Sequence, residues 1–188
     1  MNQRLFIAIK PPEEILEEIL KYQKEVSKYR GFRLVEKENL HLTLIFLGYV
    51  KQEEVPTIIE ILSKISQKYQ PFSLNLSLFD YGPNLKSPRL IWLEGEAPKN
   101  FISLKREIEK ELERNKIAFD KEKRNFKTHI TVLRIKKDFL KHLPIREEII
   151  KKTNLNFEAK SFKLMESKLS PFGAQYLELE TFNFKNFK

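Results

Sequence analysis

The chain reads HLTLIFLGYV over residues 41–50 and FKTHITVLR over residues 126–134. Within these apolar stretches, the nearly identical strings HLTL and HITV begin at His41 and His129. Residues two apart in a β-strand point to the same face, so each histidine shares its face with the threonine two positions later. The sequence therefore predicts two equivalent strands, each presenting an imidazole and a hydroxyl on one side.

The surrounding sequence repeats the same plan. Arg4-Leu5 opens a predicted strand in the first half, Arg89-Leu90 opens one in the second, and a His-x-Thr strand follows at a similar distance in each. Each half reads strand, helix, His-x-Thr strand, helix, strand. This internal duplication predicts one domain over residues 1–188, with two similar lobes of approximately 1–85 and 86–188 that can exchange strands. An approximate two-fold axis would make the equivalent strands face each other.

The periodicity of apolar residues predicts an α+β chain, because its strands and helices alternate too irregularly for a doubly wound parallel sheet. Alternation of apolar and polar residues, or short apolar runs, predict the strands. Apolar residues at helical spacing predict the helices. The predicted strands cover residues 4–9, 32–35, 40–50, 72–79, 89–94, 126–134, 157–167 and 174–184, the last two around a turn at 170–173, and the helices cover residues 15–26, 55–65, 101–112 and 139–152.

Composition limits the class of protein. The chain has 188 residues, 41% of them apolar, and a formal net charge of +9. That size and composition predict one compact globule, and the charge favours a polyanionic partner such as RNA, although interspersed Lys and Glu are also typical of solvated, heat-tolerant surfaces. The absence of cysteine excludes disulfides and thiolate chemistry, and neither a signal peptide nor a membrane span is indicated. We expect a cytoplasmic protein without a membrane partner.

The paired strings indicate acid–base chemistry. A single histidine in an apolar strand is about as often a hydrogen-bonded core residue as a functional one. Burying a ring and a hydroxyl costs about 1 to 3 kcal/mol per unsatisfied group, and packing alone does not explain that cost at two equivalent places. One neutral and one protonated imidazole suit phosphoester cleavage near neutral pH. Thr43 and Thr131 would donate hydrogen bonds to the phosphate oxygens.

A metal centre is the weaker interpretation. Neither string contains a carboxylate, and two histidines fall short of the three protein ligands that a catalytic zinc usually has. The third histidine, His142, lies in a Lys-rich segment and is expected at the surface. We therefore expect a site without metal or cofactor.

Four segments together resemble the two-histidine phosphoesterases, specifically the RNA 2′,3′-cyclic phosphodiesterases once called 2′-5′ RNA ligases. These segments are RLFIAI at the N-terminus, HLTLIFLG at the first motif, SPRLIWLE at the start of the second lobe and FKTHITVLR at the second motif. The resemblance spans essentially the whole chain. One departure is Thr128, which stands where the family usually has a proline before the second histidine.

The resemblance implies a two-lobed, pseudo-two-fold LigT-like fold, with antiparallel sheets facing a V-shaped groove and helices outside. It implies hydrolysis of a terminal 2′,3′-cyclic phosphate on RNA, including tRNA-derived ends, to a 2′-phosphate by a metal-independent monomer. By the same resemblance, His129 is the base that activates water and His41 is the acid that protonates the departing 3′ oxygen. Thr43 and Thr131 bind the phosphate.

Arg134 corresponds to an arginine that is often present in the family and could hold phosphate through its planar guanidinium. Strict alternation from His129 places Arg134 on the opposite face, so it reaches the groove only if the strand ends or bulges first. For stacking of the terminal base, Phe79 and Tyr81 are candidates, although core packing is favoured for Phe79.

Three alternatives stay open at the level of sequence. The same site could act on a small cyclic nucleotide, such as an ADP-ribose cyclic phosphate, or on 2′-5′ linked oligonucleotides. The groove could instead bind RNA ends without turnover, although Lys or Arg would serve binding alone equally well. RNA ligation would be the reverse chemistry, but the chain shows neither a nucleotide-activating lysine motif nor a Gly-rich phosphate loop.

Overall fold

The computed structural model describes residues 2–121, 127–170 and 173–185. Nine strands and four helices alternate along this described part of the chain. The strands are β1 (Asn2–Ile9), β2 (Phe32–Leu34), β3 (Leu42–Lys51), β4 (Phe72–Gly82), β5 (Leu90–Glu96), β6 (Lys127–Ile135), β7 (Lys151–Ala159), β8 (Ser161–Ser170) and β9 (Gly173–Asn183). The helices are α1 (Glu13–Val26), α2 (Val55–Ser66), α3 (Lys99–Arg114) and α4 (Arg146–Ile149).

All strand pairings are antiparallel, in the order β7-β4-β5-β6-β3-β1-β8-β9, with β2 added beside β6. The halves built around β1 and around β5 meet where β3 contacts β6, through the single register pair of Leu42 with Ile130. These two residues directly follow the two histidines. Because antiparallel strands run in opposite directions, continuing this register brings His41 toward Thr131 and Thr43 toward His129. The expected α+β fold, with a mostly antiparallel sheet, is confirmed.

Both His-x-Thr strands carry a β-bulge at the same place. On β3, Leu44 is the extra residue between the positions that pair with Ile7 and Ala8 of β1. On β6, Val132 is the extra residue between the positions that pair with Ile91 and Trp92 of β5. A bulge leaves two successive residues opposite one and turns the following side chains to the other face. The two halves thus share a local irregularity as well as a motif.

The main core lies between the sheet and the three longer helices. Helix α1 begins after Pro12 and buries Ile15 and Ile19, while α3 buries Phe101 and Leu104. Each of these residues recurs at helical spacing, which gives each helix an apolar face for the sheet. A smaller cluster of Phe6, Ala8 and Met165, with Tyr176 packed beside it, lies apart from this core.

The predicted helix over residues 139–152 is wrong. That segment contains a 3₁₀ turn at Lys137–Phe139, the single helical turn of α4 and the start of β7. Pro144 disfavours a continuous helix, because proline lacks an N–H and restricts the residue before it to extended backbone. From Lys151 onward the chain pairs with β4 instead. Three strands therefore close the chain where two were expected.

The remaining helix predictions and the strands from β1 to β6 are confirmed within a few residues of their ends. Phe126, at the start of the predicted second motif strand, and residues 171–172 of the predicted turn lie outside the described residues. The strand order places β4 beside β5, and β8 beside β1. The division at about residue 85, with strands exchanged between lobes, stays a prediction.

Candidate active site

A cavity of about 470 Å³ lies on the face of the sheet where the two halves meet. It contains His41, Thr43, His129 and Thr131, as the two strings predicted. The other lining residues are Arg4, Leu5, Phe6, Arg33, Val35, Asn39, Phe46, Gly48, Asp120, Arg134, Ser167, Ala174 and Tyr176. Three arginines and one aspartate among them give the lining an excess of positive charge.

His41 is held in one orientation. Its Nδ1 lies 2.7 Å from the carbonyl oxygen of Asn39. Because a carbonyl only accepts, Nδ1 carries the hydrogen and Nε2 is left for a ligand or a proton. The imidazole also packs at 4.8 Å from the ring of Phe6 and edge-on at 5.0 Å from the ring of Tyr176. These aromatic neighbours restrict its rotation and exclude water from one side.

Burial lowers the pKa of His41 from 6.5 to about 4. The hydrogen bond to Asn39 opposes this shift, while the charges of Lys10, His129 and Arg134 add to it. An apolar surround and neighbouring cations both disfavour the imidazolium. His41 is therefore neutral in the free protein at pH 7. An anion in the cavity would act in the opposite direction and favour its protonation.

His129 occupies the equivalent position on β6 and has a different environment. Its Nδ1 lies 3.3 Å from the carbonyl oxygen of Lys127, which is again two residues earlier. The indole of Trp92 stacks on the imidazole, with 3.9 Å between ring centroids and 21° between planes. Trp92 and Glu94 are neighbours on one face of β5, and Glu94 pairs with His129 across the strands. Trp92 therefore reaches His129 diagonally, as long aromatic side chains do in antiparallel sheets.

Arg134 does line the cavity, and the bulge on β6 explains how it does so. Val132 and Leu133 are both fully buried, so two successive residues face the core. Alternation then resumes with Arg134 on the same side as Thr131. The sequence identified the need for a bulge but not its presence.

Phe46 is the counterpart of Arg134 on β3. Each residue follows its histidine by five positions, and each follows a bulge that buries two successive residues, Leu44 and Ile45 in the case of Phe46. Phe46 lines the cavity and is 51% exposed. Sequence reasoning missed it, although the equal spacing from the two histidines was a signal that could have found it.

The two aromatic candidates for base stacking lie elsewhere. Phe79 is buried in the core, where its ring stacks on that of Tyr22 at 4.0 Å. The hydroxyl of Tyr81 donates to the carbonyl oxygen of Pro144. Neither residue lines the cavity. The aromatic side chains that do so are Phe6, Phe46 and Tyr176.

His142 and Thr128 are not part of the cavity lining. His142 is exposed. Thr128, which replaces the expected proline, is fully buried, and its hydroxyl donates to the carbonyl oxygen of Gly95 at 3.0 Å. A proline could not make this bond, whereas threonine ties β6 to β5 directly before His129.

Among the described residues, no group of three or more His, Cys, Asp or Glu side chains is placed to hold a metal ion. In the same part of the chain, no helix is long and apolar enough to cross a membrane. The cavity lining includes the two imidazoles and the carboxylate of Asp120.

Comparison with known proteins gives relatives along nearly the whole chain. The model of the LigT-like phosphoesterase family matches residues 9–92. The RNA 2′,3′-cyclic phosphodiesterase of Methanocaldococcus jannaschii is 39% identical over 92% of this chain and 96% of its own. The Archaeoglobus fulgidus protein of the same name is 34% identical over 95% of this chain and 99% of its own.

Solved structures give the same result. A Thermus thermophilus protein superposes with a TM-score of 0.83 at 30% identity, covering 96% of this chain and 97% of its own. Escherichia coli LigT complexed with 3′-AMP superposes with a TM-score of 0.75 at 28% identity, covering 98% and 99%. With relatives of this identity matched along nearly the whole length of both chains, the protein belongs to the LigT-like phosphoesterases, the two-histidine family that includes the RNA 2′,3′-cyclic phosphodiesterases.

Proposed function

We propose that this protein is an RNA 2′,3′-cyclic phosphodiesterase that opens a terminal cyclic phosphate to a 2′-phosphate without a metal. The observation that carries the proposal is the convergence of both His-x-Thr pairs in one basic cavity. The Nδ1 atom of each imidazole lies against a backbone carbonyl oxygen, an arrangement that suits proton transfer at Nε2. The names of the relatives support the same activity.

In the proposed reaction, water attacks phosphorus while the bond from phosphorus to O3′ breaks. His129 takes a proton from the water, and His41 gives a proton to O3′, which leaves as a hydroxyl. The two histidines come from the two halves of the sheet and line one cavity, an arrangement that suits in-line displacement. Thr43 and Thr131 donate hydrogen bonds to the non-bridging oxygens, where negative charge grows.

The low pKa of His41 constrains this assignment, because an acid has to be protonated before it can donate. The cyclic phosphate carries a negative charge, and an opposite charge within about 4–6 Å favours the protonated imidazole. Substrate binding would therefore charge His41, whereas the free protein keeps it neutral. His129 lies on the face of Trp92, which favours the imidazolium that forms when it accepts a proton.

The arginines at the cavity wall favour RNA over a small cyclic nucleotide. Arg4, Arg33 and Arg134 provide more positive charge than one cyclic phosphate needs, and the chain has a net charge of +9. The alternative substrates are an ADP-ribose cyclic phosphate and 2′-5′ linked oligoadenylate. We further propose that the protein acts as a monomer in the cytoplasm on ends that include tRNA fragments.

The test is incubation in EDTA with an oligoribonucleotide that ends in a 2′,3′-cyclic phosphate, with the product identified by NMR. A 2′-phosphate is expected, with no loss of rate to the chelator. His142→Gln serves as the control variant, because that histidine lies outside the cavity. Restoration of a chelated enzyme by added zinc or manganese would contradict the metal-free mechanism. Binding of the RNA without turnover of any cyclic phosphate would indicate a binding module instead.

A further inference from the structure

A pair of exposed side chains extends the cavity along β1 and β3. Tyr49 is 70% exposed, and it pairs in register with Arg4 across the two strands. Residues directly opposite in an antiparallel pair share a face, with Cβ atoms about 4.5–5.5 Å apart. Arg4 lines the cavity, so Tyr49 stands on the same side of the sheet at the cavity's rim.

Among the described residues, neither side chain has a hydrogen bond or ion pair of its own. An exposed tyrosine ring beside an unpaired guanidinium combines a surface for stacking a base with a group for binding a phosphate. Proteins that bind single-stranded RNA use this combination, because every base has a face to stack and every linkage has a charge.

The backbone between Tyr49 and Phe46 leaves room for a nucleotide. Gly48 lines the cavity, and its φ of +73° is a left-handed backbone conformation that residues other than glycine rarely adopt. A Cβ added at Gly48 would meet no atom within 4 Å. Leu47 is buried, so Gly48 presents only backbone between the two exposed aromatic rings of Phe46 and Tyr49.

We propose that Tyr49 and Arg4 form a subsite for the nucleotide that precedes the one carrying the cyclic phosphate, with its base on Tyr49 and its phosphate on Arg4. This inference rests on the proposed function, since it extends the substrate away from the histidines. It makes the enzyme selective for RNA ends over free cyclic mononucleotides. A nucleotide fits this pair, because the pair offers one stacking surface and one cation beside an anion-binding cavity.

The experiment compares the specificity constant, kcat/KM, for a cyclic mononucleotide with that for a dinucleotide that ends in the same cyclic phosphate. The dinucleotide should be preferred by roughly 5- to 150-fold, which corresponds to one stacked base. Tyr49→Ala should reduce this ratio by the factor that the stacked base contributes, leaving the part due to Arg4, and Tyr49→Phe should keep it. Ile145→Ala, at a site of similar exposure outside the cavity, should leave both the ratio and the melting temperature as in the wild type.

An abasic upstream nucleotide separates the two contacts. Removing the upstream base should lower the kcat/KM of the wild type by the same factor as Tyr49→Ala does. In Tyr49→Ala, the abasic substrate should have the same kcat/KM as the intact dinucleotide. Arg4→Gln should lower the slope of log KM against log salt by about 0.7, the contribution of one phosphate contact on a single strand. The matched control is Arg106→Gln, which removes an exposed arginine from α3 outside the cavity.

Failure of the Tyr49 and Arg4 subsite and failure of the phosphodiesterase activity give different results. If the wild type opens mononucleotide and dinucleotide substrates with equal specificity constants, the subsite is refuted while the phosphodiesterase stands. An unchanged ratio in Tyr49→Ala would refute it equally. If neither substrate is opened, the proposed function itself fails.

Discussion

The indole of Trp92 lies nearly parallel to the imidazole of His129, with ring centroids 3.9 Å apart. The opposite boundary of the indole is set by β4, where a Cβ added at Gly82 would come within 2.5 Å of the ring. The indole therefore fills the space between a bare strand backbone and the imidazole. In the proposed mechanism, Trp92 is a positioning residue that acts through His129.

Removing the indole of Trp92 should make His129 a weaker base. We expect Trp92→Leu to lower kcat about 10-fold, as a partly desolvated cation–π contact is worth about 1 to 2 kcal/mol. The acidic limb of the pH–rate profile should move to lower pH, because the protonated His129 loses its aromatic partner. Trp92→Phe should restore part of both effects. A fall in kcat with an unmoved limb would show that Trp92 only supports the fold.

Single replacements of the histidines should separate acid from base. His41→Ala and His129→Ala should each lower turnover about 10² to 10⁴ fold, the usual contribution of one positioned acid or base. Thr43→Ala and Thr131→Ala should cost less and should partly weaken binding. With a leaving group too acidic to need a proton, the defect of His41→Ala should shrink while that of His129→Ala persists. Rescue of His129→Ala instead would reverse the roles.

Phosphate should raise the pKa of His41. In the free protein that pKa is lowered to about 4, mainly by burial. Inorganic phosphate placed between the histidines adds negative charge, so the imidazole should titrate at higher pH. NMR titration of the ring protons with and without phosphate measures the change. If phosphate does not change the pKa of His41, the result would argue against His41 as the acid.

The neutral, half-buried His41 should also make stability depend on pH. Its pKa is about 4 when folded and 6.5 in the reference state, so the unfolded chain binds this proton first as pH falls. The free energy of unfolding should therefore decrease from pH 6.5 toward pH 4, by at most about 1.4 kcal/mol per unit from this group. Urea denaturation at pH 7 and pH 5 should show a smaller decrease for His41→Gln than for the wild type. His142→Gln, at an exposed position, should behave as the wild type does.

The sequence predicted the parts of the fold that depend on local periodicity. The longer helices and the two motif strands follow from the spacing of apolar residues, and the duplicated strings place both histidines in one cavity. The sequence wrongly predicts a helix in the segment before β7, because the apolar and charged residues there fit helical spacing. There Pro144 and pairing with β4 outweigh that local preference.

Other features of the site depend on contacts between distant segments. Tyr176 reaches His41 because β8 and β9 pair with β1, and no local pattern in the last strands indicates that neighbour. The bulge at Val132 depends on how β6 pairs with β5, so the sequence alone does not determine which face Arg134 points to. Strand pairing, rather than strand propensity, determines these side chains.

The matching bulges place unlike side chains, Phe46 and Arg134, at equivalent positions in the two halves. A site with two equal halves would accept a cyclic phosphate in two orientations, exchanged by the axis, and would open it toward either oxygen. In the proposed mechanism, an aromatic ring on one side and a guanidinium on the other would remove that degeneracy, because a nucleoside and a phosphate prefer different surroundings. In the proposed mechanism, the duplication supplies the two proton-transfer groups, and we expect the unequal flanks to determine which oxygen departs.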